Sequence, residues 1–321
     1  MRLVRLLAGV LALTLAPVAA AAAEPKRVVP EVSDGRIVDL GVMTSRHADP
    51  RRVVVWLPPH YSATGNPYAV LYMHDGQNLF DKATAGYGME WQVDEVASRL
   101  MREGKMRPAI VVGVWNTPKR LREYLPSKAF DRLPPQYIDR VRGLYGGEPL
   151  SDGYLKFIVT ELKPAIDRRF NVLRDRKNTL IMGSSMGALI SLYAINQYPQ
   201  VFGGAGMVST HWPLFLAEPG KDLTDEEVNV VASSFEAYLR PSLASPKTHR
   251  LYFDHGTETL DSQYAVYQQR IDRIVAAKGY RQGRNWVTRN FPGQEHNEKS
   301  WASRVEVPLQ FLLPPFETRS R

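Results

Sequence analysis

The stretch that decides the fold is Thr179-Leu180-Ile181-Met182-Gly183-Ser184-Ser185-Met186-Gly187-Ala188-Leu189-Ile190. Apolar residues at 179–182 run into Gly-x-Ser-x-Gly at 183–187, and a helical apolar pattern continues from Met186 to about residue 198. The five-residue pattern alone is weak, because glycine and serine are common. Its position between a short buried strand and a helix gives it meaning. A tight strand–turn–helix is a nucleophile elbow, which lifts the serine Oγ above the edge of a sheet. Ser185 stands at that turn. The plainer alternative is a glycine-rich turn in which Ser184 caps the helix.

Similar short runs recur on both sides. Residues 69–73, 109–115 and 251–253 are continuous apolar stretches, 285–291 is strand-like, and 52–57 alternates basic and β-branched residues as a strand near a sheet edge would. Such runs suit strands buried on both faces of a mainly parallel sheet. Between them, Leu155, Ile158, Leu162 and Ile166 share one face of a helix over 154–170. Tyr267, Ile271, Ile274 and Val275 do the same over 262–278, with Gly279 placed to end the helix. The alternation predicts an α/β fold with a mostly parallel central sheet and helices on both faces, in a single catalytic domain over 24–321. Residues 116–150 are rich in Pro, Gly, Tyr and basic residues without a period, and read as a lid-like insertion.

The composition agrees. The 321 residues are 44% hydrophobic and 23% charged, which is globular rather than disordered, collagenous or coiled-coil. The absence of cysteine excludes a disulfide scaffold, a Cys-ligated zinc site and a thiol nucleophile. Arg2 and Arg5 precede an apolar run that is broken by Pro17 and finishes in alanines at 21–23, the pattern of a secretory signal peptide. Cleavage would start the mature chain near Glu24 and leave an exported protein, periplasmic or secreted, with no stable membrane insertion. The formal charge is +8, or +6 without Arg2 and Arg5. The cations are scattered, with modest clusters at 119–122 and 168–177, and no aromatic-interleaved basic patch argues for nucleic acid.

A serine hydroxyl needs a base. In this fold the chain order is serine, acid, histidine, and only His211, His249, His255 and His296 follow Ser185. His296, in the polar loop Gly293-Gln294-Glu295-His296 beyond the last strand, is placed to reach back to the elbow, and His255 at a strand end is the reserve. His47 and His60 read as surface residues. Three carboxylates compete for the acid, all following the strand at 251–253. Asp261 has an alternative as a helix N-cap, Glu258 as a solvated loop residue, and Asp254 as a strand-end residue fixing the turn. The backbone N–H of Met186 is one oxyanion donor, and that of Gln77, after the strand at 69–73 and with Gly76 allowing the turn, is the second. His74 and Asp75 have no partner at metal-site spacing, so neither metal nor cofactor is expected.

These residues resemble the esterase branch of the α/β-hydrolases, which holds enterochelin-type siderophore esterases, feruloyl and acetylxylan esterases, esterase D and the mycolyltransferases. The resemblance covers most of residues 50–315. It rests on Tyr72-Met-His-Asp-Gly-Gln-Asn-Leu-Phe-Asp81, Arg120-x-x-Glu-Tyr124-x-Pro126, Gly183-Ser-Ser-Met-Gly187, Asp254-His-Gly-Thr257 with Leu260-Asp261, and Gly293-x-x-His296. It implies Ser185 as nucleophile, His296 as base, and the Gln77 and Met186 amides as oxyanion donors. It further implies that Gly76, Trp91, Ser209, His211 and Trp212 line the substrate pocket, where core packing is the ordinary alternative for the two tryptophans. Many relatives place the acid two or three residues after the strand-end glycine, a spacing met by Glu258. The Thr259-Leu260-Asp261 arrangement of exported bacterial relatives tilts the assignment to Asp261. The expected activity is hydrolysis of small-molecule or glycan esters, siderophore esters included, through an acyl-enzyme. The alternatives are acyl transfer on the same triad and a catalytically silent exported binding protein on a hydrolase scaffold.

Overall fold

A computed structural model describes residues 29–215 and 223–316, so the expected leader at 1–23 lies outside the described residues. Among those described, eight strands form one sheet: β1 (Arg36–Met43), β2 (Arg51–Leu57), β3 (Ala69–His74), β4 (Ala109–Val114), β5 (Thr179–Ser184), β6 (Gly204–Val208), β7 (Arg250–His255) and β8 (Trp286–Asn290). Their order is β1-β2-β4-β3-β5-β6-β7-β8. β2 runs antiparallel to both neighbours, and every pairing from β4 to β8 is parallel.

The strands split their side chains between two cores, as a two-residue period requires. Val53, Val55, Val70, Tyr72, Ile110 and Val112 face one core, while Val54, Trp56, Leu71, Met73, Ala109 and Val111 face the other. The helices that cover the two faces are α1 (Val93–Arg102), α2 (Arg120–Tyr124), α3 (Ser127–Phe130), α4 (Pro135–Tyr145), α5 (Ser151–Phe157), α6 (Lys163–Arg169), α7 (Met186–Gln197), α8 (Asp225–Ser242), α9 (Ala265–Ala277), α10 (Glu298–Ala302) and α11 (Glu306–Leu312). α7 is buried along nearly its whole length, which is why it reads as continuously apolar rather than amphipathic.

One expectation needs amending. The single helix read over 154–170 is α5 and α6 joined by a π-helical turn at Ile158–Leu162. Pro164 lacks the N–H that would bond residue 160, and the helix widens there while keeping Leu155, Ile158, Leu162 and Ile166 buried. The insertion at 116–150, which shows no period in sequence, holds α2, α3 and α4. Arg51 and Glu123 form a buried ion pair, at 2.5 and 3.1 Å, that ties α2 to β2. Leu150 N–H donates to Arg122 O, and Ser127 N–H donates to Ser151 Oγ. Helices of five and four residues are too short to show a period, so the sequence pattern was silent there. Among the described residues, no helix is long and apolar enough to cross a membrane.

Candidate active site

The site lies at the C-terminal edge of the parallel strands. Ser185 joins β5 to α7 with φ +56° and ψ −123°, a region that costs a non-glycine residue about 1–3 kcal/mol and survives only where the surroundings impose it. They do. Its N–H donates to Val208 O at 2.9 Å, and its carbonyl accepts from Ala188 and His211 N–H at 3.1 and 3.3 Å. A Cβ on Gly183 would stand 2.8 Å from the Gly187 carbonyl, so the strand and the helix approach this closely only because residue 183 has no side chain.

His296 stands on the loop after β8. Its Nε2 is 2.9 Å from Ser185 Oγ, and its Nδ1 is 2.6 Å from Asp261 Oδ1. The loops after β7 and β8 are tied together: Thr257 and Glu258 N–H both donate to Gln294 O at 3.0 Å, and His296 N–H donates to Thr259 Oγ1 at 2.9 Å. Asp261 lies in a 3₁₀ turn, Thr259–Gln263, and is buried. Its Oδ2 accepts from Ser209 Oγ at 2.5 Å and from Gly256 N–H at 2.6 Å. Burial pushes the Asp261 carboxyl up, but the bond and charge of His296, together with the Ser209 and Gly256 donors, outweigh it and leave it below its ordinary value. An ionised Asp261 accepts the Nδ1–H of His296, which leaves Nε2 free to accept from Ser185.

The other two carboxylates have different surroundings. Glu258 is exposed and bonds Thr257 Oγ1. Asp254 is buried at the end of β7, where it accepts from Tyr252 OH at 2.8 Å, from Arg304 Nη2 at 3.2 Å and from Ser209 N–H at 3.2 Å. Burial raises its carboxyl more than these partners lower it. The reserve base, His255, bonds the Gly256 carbonyl through Nδ1 and does not reach Ser185.

The cleft over Ser185 holds about 820 Å³. Its wall includes Gln77, Tyr87, Trp115, Arg120, Leu260 and Trp301. Five residues expected in it lie elsewhere. Ser209 is fully buried behind Asp261, its Oγ shared with Trp301 Nε1 at 3.0 Å and Arg304 Nη2 at 2.7 Å. Trp212 belongs to the core, stacked on Phe253 and bonded to Gln268. Trp91 packs behind Trp301, with ring centres 5.5 Å apart, and Trp301 forms the wall instead. His211 is buried against Tyr264, and burial, reinforced by the nearby His296 and Arg120, holds it down to about 3, so it is neutral. Gly76 packs on β4, where a Cβ would meet the Gly113 backbone at 2.5 Å. In every case except Gly76, which serves the turn, the large or polar side chain is consumed by contacts beneath the site.

β3 and β5 are paired neighbours, so the loop after β3 reaches the elbow. A Cβ on Gly187 would lie 3.4 Å from both Asp75 Oδ2 and His74 Cβ. Gln77 follows Asp75 in the turn Gly76–Asn78 and lines the same cleft as Ser185, while Met186 is the first residue of the twelve-residue α7. Asp75 is gripped by Arg120 through two bonds of 2.7 Å and by Asn116 Nδ2 at 2.6 Å. Burial pushes the Asp75 carboxyl up, and the Arg120 guanidinium more than offsets it. The insertion therefore anchors the turn that carries Gln77. Among the described residues, no cluster of three or more His, Asp or Glu side chains could hold a metal ion.

Sequence reasoning did not single out Arg304 or Trp301, because their roles depend on α10 and the residues after it folding back under β6 and β7. Arg304 is the cation between two buried carboxylates, 3.2 Å from Asp254 and 3.7 Å from Asp261. Replacing it by methionine removes the arginine cation from both carboxylates and is expected to cost about 3–5 kcal/mol of stability. Urea unfolding of Arg304→Met measures this, and an unchanged midpoint would contradict the network.

Residues 44–307 match a family model described as "Putative esterase". The chain is 29% identical over 173 residues to the uncharacterized protein YbbA of Bacillus subtilis, an alignment covering 54% of this chain and 62% of that one. It is 28% identical over 153 residues to the ferri-bacillibactin esterase BesA of the same organism, covering 45% and 49%. The chain thus spans about half to three-fifths of the length of these curated relatives. Among solved structures, a ferulic acid esterase superposes with a TM-score of 0.58 at 19% identity, over 88% of this chain and 99% of the other. The fold is that of the α/β-hydrolases.

Proposed function

The chain belongs to this esterase family, and from that premise we propose that it is a serine carboxylic-ester hydrolase acting through an acyl-enzyme on Ser185. The observation that carries the reading is the unbroken line Ser185 Oγ, His296, Asp261, with contacts of 2.9 and 2.6 Å, opening on a cleft. Ser185 Oγ attacks the ester carbonyl carbon while His296 Nε2 takes its proton. Asp261 holds the ring and offsets the imidazolium charge. The carbonyl oxygen becomes an oxyanion facing the Met186 and Gln77 amides, where the α7 N-terminus adds its positive end. As the carbon–oxygen bond to the alcohol breaks, His296 returns the proton to the departing oxygen. Water then attacks the acyl-enzyme by the same steps, and Ser185 recovers its proton.

The substrates we propose are esters of hydroxyaryl acids, carried on a sugar or a siderophore. Support comes from the ferulic acid and ferri-bacillibactin esterases among the similar proteins and from the chemistry of the wall. Trp115, Trp301 and Tyr87 offer faces to an aryl ring, and Arg120 offers charge. The leader-like residues 1–23 further support action outside the cytoplasm. The test is twofold. A fluorophosphonate should label the folded protein at one residue, and kcat/KM for methyl ferulate should exceed that for ethyl acetate by about tenfold or more. A folded protein that neither takes the label nor hydrolyses any ester would overturn the reading.

A further inference from the structure

The sheet has a second cleft, at the opposite edge from Ser185. Arg107 precedes β4, Arg176 and Lys177 precede β5, Arg250 opens β7, and Arg281 and Arg284 precede β8. All stand where parallel strands begin, whereas Ser185 stands where β5 ends. Six residues of strand put roughly 20 Å between the two sites. The cleft holds about 780 Å³, within the range of small-molecule sites, and eight Lys and Arg side chains line it without one Asp or Glu.

Elsewhere the fold pairs its partly buried cations: Arg51 with Glu123, Arg120 with Asp75, Arg270 with Glu236. Here no lining cation has an ion pair among the described residues. Arg107 is 5% exposed, yet its Nη2 donates only to the backbone carbonyls of Lys177 and Leu312, and its Nε is buried without a partner. Arg176 Nε is buried and unpartnered as well, and Arg250 Nη1 donates to Phe311 O. Burial and the neighbouring Arg250 push the Arg107 guanidinium down to about 10, and the Asp175 carboxylate offsets only part of this, so the cations of this floor repel one another. An anion would relieve that repulsion and take up the unused N–H donors in the paired geometry a guanidinium favours.

We infer that this cleft is a second binding site, for a compact polyanion bearing phosphate or carboxylate groups. Its shape and lining narrow the class. No Phe, Tyr or Trp side chain lines it, so nucleic-acid bases lack the large ring faces on which they stack. It is concave and without the large apolar anchors that dock a surface onto a membrane. The site is separate from the proposed ester chemistry and does not depend on it.

Isothermal titration of the whole chain with tripolyphosphate and, separately, with citrate tests the proposal at low ionic strength, where screening is weakest. One equivalent of at least one anion should bind. Heat from tripolyphosphate alone marks a phosphate-bearing ligand, heat from citrate alone a polycarboxylate, and heat from both a general oxyanion site. The double variant Arg281→Gln/Arg284→Gln, confined to exposed side chains, should weaken binding about tenfold or more. Arg132→Gln/Arg168→Gln, an equal charge change on other exposed surface, should leave it within about twofold. No binding of either anion at millimolar concentration, or equal weakening in both double variants, would overturn the assignment.

Discussion

Replacing Ser185 by alanine is expected to lower kcat for p-nitrophenyl acetate by about 10⁴-fold or more while leaving the fold intact, and to abolish fluorophosphonate labelling. The size of the loss follows from the way the three groups work as a unit: without the oxygen nucleophile, His296 and Asp261 have nothing to activate, and only binding and oxyanion contacts remain. The fold survives because the Oγ bonds only His296, while the elbow is held through the backbone of residue 185, by Val208, Ala188 and His211. Ser185→Gly extends the test. Glycine adopts φ +56° without strain, so this variant should be as inactive as the alanine one yet more stable than it, by up to about 1–3 kcal/mol. The strain at residue 185 would then be tied to function rather than to folding. A Ser185→Ala enzyme with wild-type rates would move the chemistry to another residue.

How much of this was legible depended on where the information lies. Strands buried on both faces announce themselves, and β3, β4, β5 and β7 all fall on the continuous apolar runs. β1 escaped because it is half-exposed and irregular: the register shifts between Asp39 and Val42, so Arg36–Met43 never alternates cleanly. Ser185 is a candidate from sequence because an elbow demands a local pattern, and His296 because the order of elements leaves one polar loop after the last strand. The pocket residues were not. Ser209 and Trp212 have the right positions along the chain, but a buried donor such as Ser209 Oγ serves whichever partner the tertiary structure brings, here Asp261, Arg304 and Trp301. The acid lies between these extremes. Counting residues from Gly256 points to Glu258, yet Thr259 takes a left-handed conformation, φ +52°, and starts a 3₁₀ turn that carries Glu258 out to solvent and Asp261 inward.

That turn makes the sharpest comparison available. Asp261→Asn is expected to lower kcat about 10⁴-fold, whereas Glu258→Gln should leave it within about twofold, although the two residues are three apart in sequence. The asparagine keeps the shape of the side chain but changes what it offers: an amide group facing Nδ1 favours the proton on Nε2 of His296, the tautomer that cannot take the proton of Ser185. The charge that would stabilise the imidazolium is lost with it. Arg304, Ser209 N–H and Tyr252 continue to hold Asp254, so the scaffold beneath the site stays assembled. The exposed Glu258 side chain, by contrast, bonds the hydroxyl of its neighbour Thr257, and its neutralisation should change neither the orientation of His296 nor its charge balance. Steady-state rates of the two variants, with thermal midpoints to verify folding, decide the matter. Comparable losses in both would mean that the two loops exchange roles during turnover, and a loss confined to Glu258→Gln would reassign the acid.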